Sequence, residues 1–204
     1  MFINLEELST PQVYFTMTQT ILPRPIAWIL SENKNGDYNL APFSYFNAVS
    51  SDPPLVMVSI GLQDDGTKKD TLANVMERPE FVVHIASCEH LPALNLSSAT
   101  LPPGESEVTR GNLETEAFAD YALPRLKAAK IALMCSVYTI QEIGNDSQTL
   151  LFGRIRNIYV QDTCTRVNAK GRLEILPDKI RPLSRLGANQ YSTFGEVLFA
   201  KRPA

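Results

Sequence analysis

The chain has 204 residues, 44% hydrophobic and 20% charged, an ordinary composition with enough sequence for one sizeable core. A formal net charge of −3 without clustered basic and aromatic residues argues against a nucleic-acid binder, and no apolar run approaches the ~18 residues of a membrane span. Cys88, Cys135 and Cys164 are widely spaced with no CxxC pair, and Glu6 and Glu7 stand where a signal peptide wants positive charge; both point away from a disulfide or zinc framework and toward the cytoplasm.

Residues 1–20 read as an N-terminal arm, and Pro23 and Pro25 around Arg24 force an extended entry into a strand from Ile26 to Ser31. Asn35-Gly36 is a hairpin signal, and the returning strand runs from Tyr38 to about Phe46. It leads into the stretch that organises the chain, residues 41–61, APFSYFNAVSSDPPLVMVSIG. There a polar turn bearing Ser50, Ser51 and Asp52 is expected before a Pro53-Pro54 stop and a buried strand. Leu55, Met57 and Ser59 alternate with Val56, Val58 and Ile60, apolar on both faces as inside a barrel.

DTLANVMERP reads as a short helix capped by Asp70 or Thr71, with Leu72, Val75 and Met76 facing the core and Pro79 ending it. EFVVHIAS is a strand, HLPALNLSS a second short helix, and residues 100–118 are loop-rich with one helical turn near Glu105. Two long strands, Lys130 to Ile143 and Gln148 to Gln161, are joined by GNDS, and a hairpin turns at Lys170-Gly171. The expected fold is mainly β: one domain over residues 1–204, an antiparallel, Greek-key-like barrel with a few short peripheral α-helices.

PRPIAWIL, APFSYFNAVSSDPPLVMVSIG, KKDTLANV, EFVVHIAS and PLSRLGANQY follow one another in that order. Over roughly residues 20–195 they resemble the flavin reductase-like proteins, which have an FMN-binding split barrel. The resemblance implies a homodimer with FMN near the subunit interface and NADH or NADPH as a transient electron donor. It further implies a downstream flavin-dependent monooxygenase or other electron acceptor.

The isoalloxazine ring needs an apolar or aromatic wall and amide donors along its polar edges. Ser44, Tyr45, Phe46 and Asn47 can supply these, and the resemblance places the ring there; taken singly, Phe43, Tyr45 and Phe46 read better as barrel core or interface, whereas for Ser44 and Asn47 the flavin-binding reading leads. The phosphate carries close to two negative charges and suits hydroxyls, a cation and a helix N-terminus. The resemblance assigns that end to Ser50 and Ser51 together with Lys69 and Thr71. The competing reading makes Ser51-Asp52-Pro53 a plain turn and Lys68 and Lys69 solvated.

Arg24 either reaches flavin or the partner subunit, or is a surface arginine. By resemblance Arg185, Asn189 and Tyr191 close over the flavin from the second subunit. His84 reads as a satisfied barrel histidine, where similar proteins often carry asparagine, and the cysteines read as small buried hydrophobes. No GxGxxG or P-loop sequence occurs, no metal ligands are expected, and no catalytic side chain is named, because hydride transfer to flavin needs stacking and orientation. Two rival functions are a non-catalytic FMN-binding electron carrier and a pyridoxamine-phosphate-oxidase-like enzyme.

Residues 1–124 hold 6 Lys+Arg against 16 Asp+Glu, and residues 125–204 hold 13 against 6. Such a basic surface would attract an anionic nicotinamide cofactor; alternatively the two halves neutralise each other within the fold or across an oligomer.

Overall fold

The structure is a computed structural model describing residues 1–145, 148–201 and 203. The apolar runs pair as strands β1 (Arg24–Pro25), β2 (Ala27–Glu32), β3 (Tyr38–Phe43), β4 (Phe46–Ser51), β5 (Pro54–Ile60) and β6 (Glu80–Ile85). Strands β7 (Thr115–Glu116), β8 (Arg125–Leu126), β9 (Ile131–Ile143) and β10 (Gln148–Val160) follow. The short β11 (Thr165–Val167), β12 (Leu173–Ile175), β13 (Ser184–Arg185) and β14 (Tyr191–Ser192) complete the series. Around them lie α1 (Thr10–Thr20), α2 (Asp70–Glu77), α3 (Leu91–Leu96), α4 (Glu107–Arg110) and α5 (Pro177–Ile180).

Seven strands form one antiparallel sheet in the order β3-β2-β6-β9-β10-β5-β4. Its two edges, β3 and β4, are consecutive in the chain and separated only by Ser44 and Tyr45. Laid flat, seven strands would hold their edges roughly 29 Å apart, whereas the step from Phe43 to Phe46 spans at most about 11 Å. The sheet therefore rolls into a barrel whose last seam is closed by the chain and not by a β3–β4 ladder. That is the split barrel expected from the sequence.

Rolling explains why the strands are apolar on both faces. Ala27, Ile29, Val58, Ile60, Phe81, Val83 and Leu151 pack inside with Leu72 and Val75 of α2. Trp28, Leu30 and Val82 point the other way, against Leu94, Val108, Phe118 and Leu126. The Asn35-Gly36 hairpin forms as expected, with Gly36 at φ +83°. The Lys170-Gly171 hairpin joins β11 to β12. Of the GNDS turn between β9 and β10, residues 146 and 147 lie outside the described residues.

Several local expectations change. The N-terminal arm carries α1, whose start is the Ser9-x-x-Gln12 capping box with Pro11 in the first turn, a helix signature present in the sequence. The strand expected to reach Phe46 stops at Phe43, because the chain must turn through Ser44 and Tyr45 to cross the seam. Ser50 and Ser51 lie in β4, paired with Leu55 and Pro54, so the turn shrinks to Asp52-Pro53. Neither Asp70 nor Thr71 caps α2; Lys69 is the N-cap and offers no side-chain hydrogen bond. Met76 is exposed. The buried face of α2 is made by Thr71, Leu72, Asn74 and Val75, which leaves Met76 outside it.

Candidate functional site

A cleft of about 640 Å³ opens where the seam, α1, the α2 N-terminus and the C-terminal segment meet. This volume suits a small-molecule site, for which ~300–1,000 Å³ is usual. Tyr14 and Phe15 of α1, Phe43 and Tyr45 at the seam and Tyr191 of β14 provide aromatic surface; Ser44, Ser59, Asn95, Ser98, Gln148 and Asn189 add polar groups. Three cations line it, Arg24, Lys69 and Arg185, against Asp64 as the single acid among the described lining residues. A smaller depression of about 240 Å³ adjoins it, sharing Pro42, Phe43, Lys69 and Ser98 and reaching Asn39, Asp70, Thr71 and Glu107.

The seam residues are held by the roll of the sheet. The Ser59 N–H donates to the Tyr45 carbonyl at 2.8 Å, and among the described residues the amides of Ser44 and Tyr45 have no main-chain acceptor. The Tyr45 and Tyr14 rings meet at 6.2 Å between centroids. Burial, then the neighbouring Tyr14, pushes the Tyr45 phenol above its usual range. It stays a neutral hydrogen-bonding group at physiological pH.

At the α2 end, Ala73 is the first residue to make a backbone bond back to the cap. The preceding amides of the first turn therefore lack intrahelical partners, and no side chain caps them. Lys69 sits at that N-cap without an ion-pair partner among the described residues. Burial raises the Asp70 carboxyl above its usual range. Thr71 is fully buried, and its Oγ1 accepts from Asn39 Nδ2 at 2.8 Å. Asn39 also reaches Ser31, which in turn accepts from Asn74. The Thr71 hydroxyl thus anchors α2 to the barrel.

Arg24 is not a surface arginine. It is buried, with Nη1 donating to the carbonyls of Thr18 at 2.5 Å and Ile21 at 2.8 Å. These acceptors sit at the C-terminal end of α1, where carbonyls lack helical partners and the dipole favours a cation. Nη2 donates to the Leu186 carbonyl at 2.8 Å and Nε reaches Ser44 Oγ at 3.5 Å. Arg185, Asn189 and Tyr191 line the cleft of their own chain.

Phe46, Asn47, Ser50 and Ser51 line neither depression. Asn47 Oδ1 accepts from the Ala48 amide at 2.9 Å, and Ser50 Oγ accepts from the Asp52 amide at 3.2 Å. Within one chain, then, Ser51 and Thr71 do not converge on a shared cleft: the roll that brings Ser44 to the α2 end carries β4 along the barrel's outer edge.

Away from the cleft, His84 is fully buried and satisfied at both nitrogens. Nδ1 donates to the Trp28 carbonyl at 3.0 Å and Nε2 accepts from the Leu126 amide at 3.0 Å. Burial outweighs the raising effect of the Trp28 bond and, with smaller repulsion from Arg125 and His90, lowers its pKa to about 3. Cys135 and Cys164 are buried, and Cys88 is half-buried with Sγ against the Arg181 carbonyl at 3.1 Å. Among the described residues no group of three or more His, Cys, Asp or Glu comes together to hold a metal. None of their helices is long and apolar enough to cross a membrane.

This barrel and cleft define a class. The flavin reductase-like domain family matches residues 18–175, and the chain belongs to that family; it is a split-barrel oxidoreductase of the flavoprotein class. A protein of unassigned function from Halalkalibacterium halodurans is 36% identical over all of this chain and 97% of its own length. Nitrilotriacetate monooxygenase component B from Bacillus cereus superposes with a TM-score of 0.88 at 35% identity, covering 98% of both chains. The 2-nitrobenzoate 2-nitroreductase of Pseudomonas fluorescens superposes at 0.87 with 28% identity, covering all of this chain and 96% of the other.

Proposed function

We propose that the chain binds FMN in the cleft and uses NADH or NADPH to reduce it. One observation carries the reading: an uncapped α2 N-terminus with Lys69 borders the same cleft as the Ser44 and Tyr45 amides, which have no acceptor among the described residues. A helix N-terminus with a lysine suits a phosphate, and paired amide donors suit the polar edge of a flat heteroaromatic ring. When bound, flavin would supply a hydride acceptor for a dihydronicotinamide donor. Ser44 and Tyr45 orient the ring by their main chain, and Lys69 and the α2 amides hold its phosphate. Thr71 holds α2 in place, Arg24 borders the ring, and the aromatic walls exclude water.

The reading extends to a cytoplasmic homodimer. Val49 on edge strand β4 and Tyr138 and Ile158 on the outer faces of β9 and β10 are exposed, and a second copy would cover such a surface. In that dimer Phe46, Asn47, Ser50 and Ser51 meet the partner's cleft. The likeness to a monooxygenase component B supports a flavin-dependent monooxygenase as the consumer of the reduced flavin.

The test is titration of apo-protein with FMN and FAD by fluorescence quenching, then anaerobic addition of NADH or NADPH. FMN uptake with bleaching of the flavin band is expected. Protein that takes up no flavin overturns the reading; flavin bound tightly but not reduced by either nucleotide favours an electron carrier.

A further inference from the structure

Arg24 and Arg185 are direct cross-strand partners in β1 and β13. Like charges opposite one another destabilise a ladder, yet among the described residues no acid pairs with either. Arg24 has its N–H groups satisfied by main-chain carbonyls. Arg185 does not. It is half-buried, its guanidinium carbon stands 4.5 Å from the Tyr191 ring centroid, and Nη2 donates to the Ala188 carbonyl. Its Nε and Nη1 have no protein acceptor among the described residues.

The turn beneath it is built to present this side chain. Ala188 has φ +49°, a left-handed conformation that is strained for an alanine. Paired backbone bonds hold it there, from the Leu186 amide to the Gln190 carbonyl and from the Gln190 amide to the Gly187 carbonyl, both 3.0 Å. Ala188, Asn189 and Tyr191 all line the cleft but not the adjoining depression, whereas Lys69 lines both. Lys69 thus borders the cleft where it adjoins the second depression, and Arg185 borders it at the C-terminal segment.

We propose that Arg185 is the docking group for the pyrophosphate of the nicotinamide dinucleotide, and so determines the donor's KM while leaving flavin affinity alone. This rests on reading the cleft as a flavin-reducing site. The Nε and Nη1 donors of this guanidinium remain available for charge-assisted hydrogen bonds to phosphate oxygens, and its stacking on Tyr191 removes the rotamer freedom that binding would otherwise cost.

The test titrates ADP-ribose, which keeps the pyrophosphate and lacks the nicotinamide, into FMN-loaded wild type, Arg185→Ala and Arg185→Lys, followed by calorimetry. Affinity should fall about tenfold or more in Arg185→Ala and less in Arg185→Lys, with FMN affinity within about twofold of wild type and a donor KM that rises in step. The proposal is overturned if ADP-ribose binds Arg185→Ala as well as wild type, does not bind wild type, or if FMN affinity falls in parallel. Apo-protein that binds ADP-ribose through Arg185 but takes up no FMN would support the docking role and sink only the flavin reading.

Discussion

The guanidinium of Arg24 donates to the main-chain carbonyl of Leu186 at 2.8 Å, tying the strand that enters the barrel to the C-terminal segment. The same group caps the end of α1 and leans toward Ser44, so one buried cation holds three walls of the cleft. Arg24→Met should lower stability by about 3 kcal/mol, since buried carbonyls lose charged donors, with Arg24→Lys falling between. Urea melts of the three proteins measure this, and equal midpoints would contradict it.

His84 should make the fold acid-sensitive. Its pKa falls from about 6.5 in the unfolded chain to about 3 in the fold, so below pH 6.5 the unfolded state binds the extra proton. Its contribution is complete above pH 6.5 and is lost at about 1.4 kcal/mol per pH unit as pH falls toward 3. Burial lowers His90 as well, which adds loss of the same sign. Comparing unfolding at pH 7.5 and 5.5, His84→Asn should lose about 1.4 kcal/mol less than wild type across that interval. The same pH dependence in both would show that His84 does not titrate as described.

Gly153 in β10 admits no side chain. A Cβ there would stand 2.5 Å from Phe81 Cζ in the barrel interior, at a register shift between β9 and β10. Gly153→Ala should destabilise by about 1–3 kcal/mol through overpacking. Combined with Phe81→Leu, which frees the space, the two costs should add to less than their sum; strict additivity in chemical denaturation would count against this contact.

Lys69 distinguishes phosphorylated from unphosphorylated flavin if it occupies the phosphate pole. Lys69→Gln should weaken FMN about tenfold, the worth of one charge-assisted hydrogen bond, and leave riboflavin unchanged. Fluorescence quenching with both ligands is the check. Equal losses for the two would move the phosphate elsewhere.

The sequence by itself determined most of the barrel, because local patterning writes it directly. The two-faced apolar runs, the Asn35-Gly36 and Lys170-Gly171 hairpins and the Pro79 stop depend on neighbours a few residues away. His84 was legible for the same reason, as one polar residue in a buried strand. Around the cleft, Ser44, Tyr45 and Lys69 were marked by the organising stretch and the KKDT helix start. The capping box at Ser9 was equally local and marks α1.

What only the tertiary structure decided is which surface each residue serves. The roll of the sheet turns Ser50 and Ser51 onto an outer edge while Ser44, one short loop away, faces the cleft. The fate of Arg24 depends on carbonyls of α1 and Leu186, the latter 162 residues distant, and Thr71 is claimed by Asn39 from another strand. The α1 carbonyls lie within six residues of Arg24, but Leu186 and Asn39 are brought in by how the layers close, and no short window of sequence contains both members of those pairs.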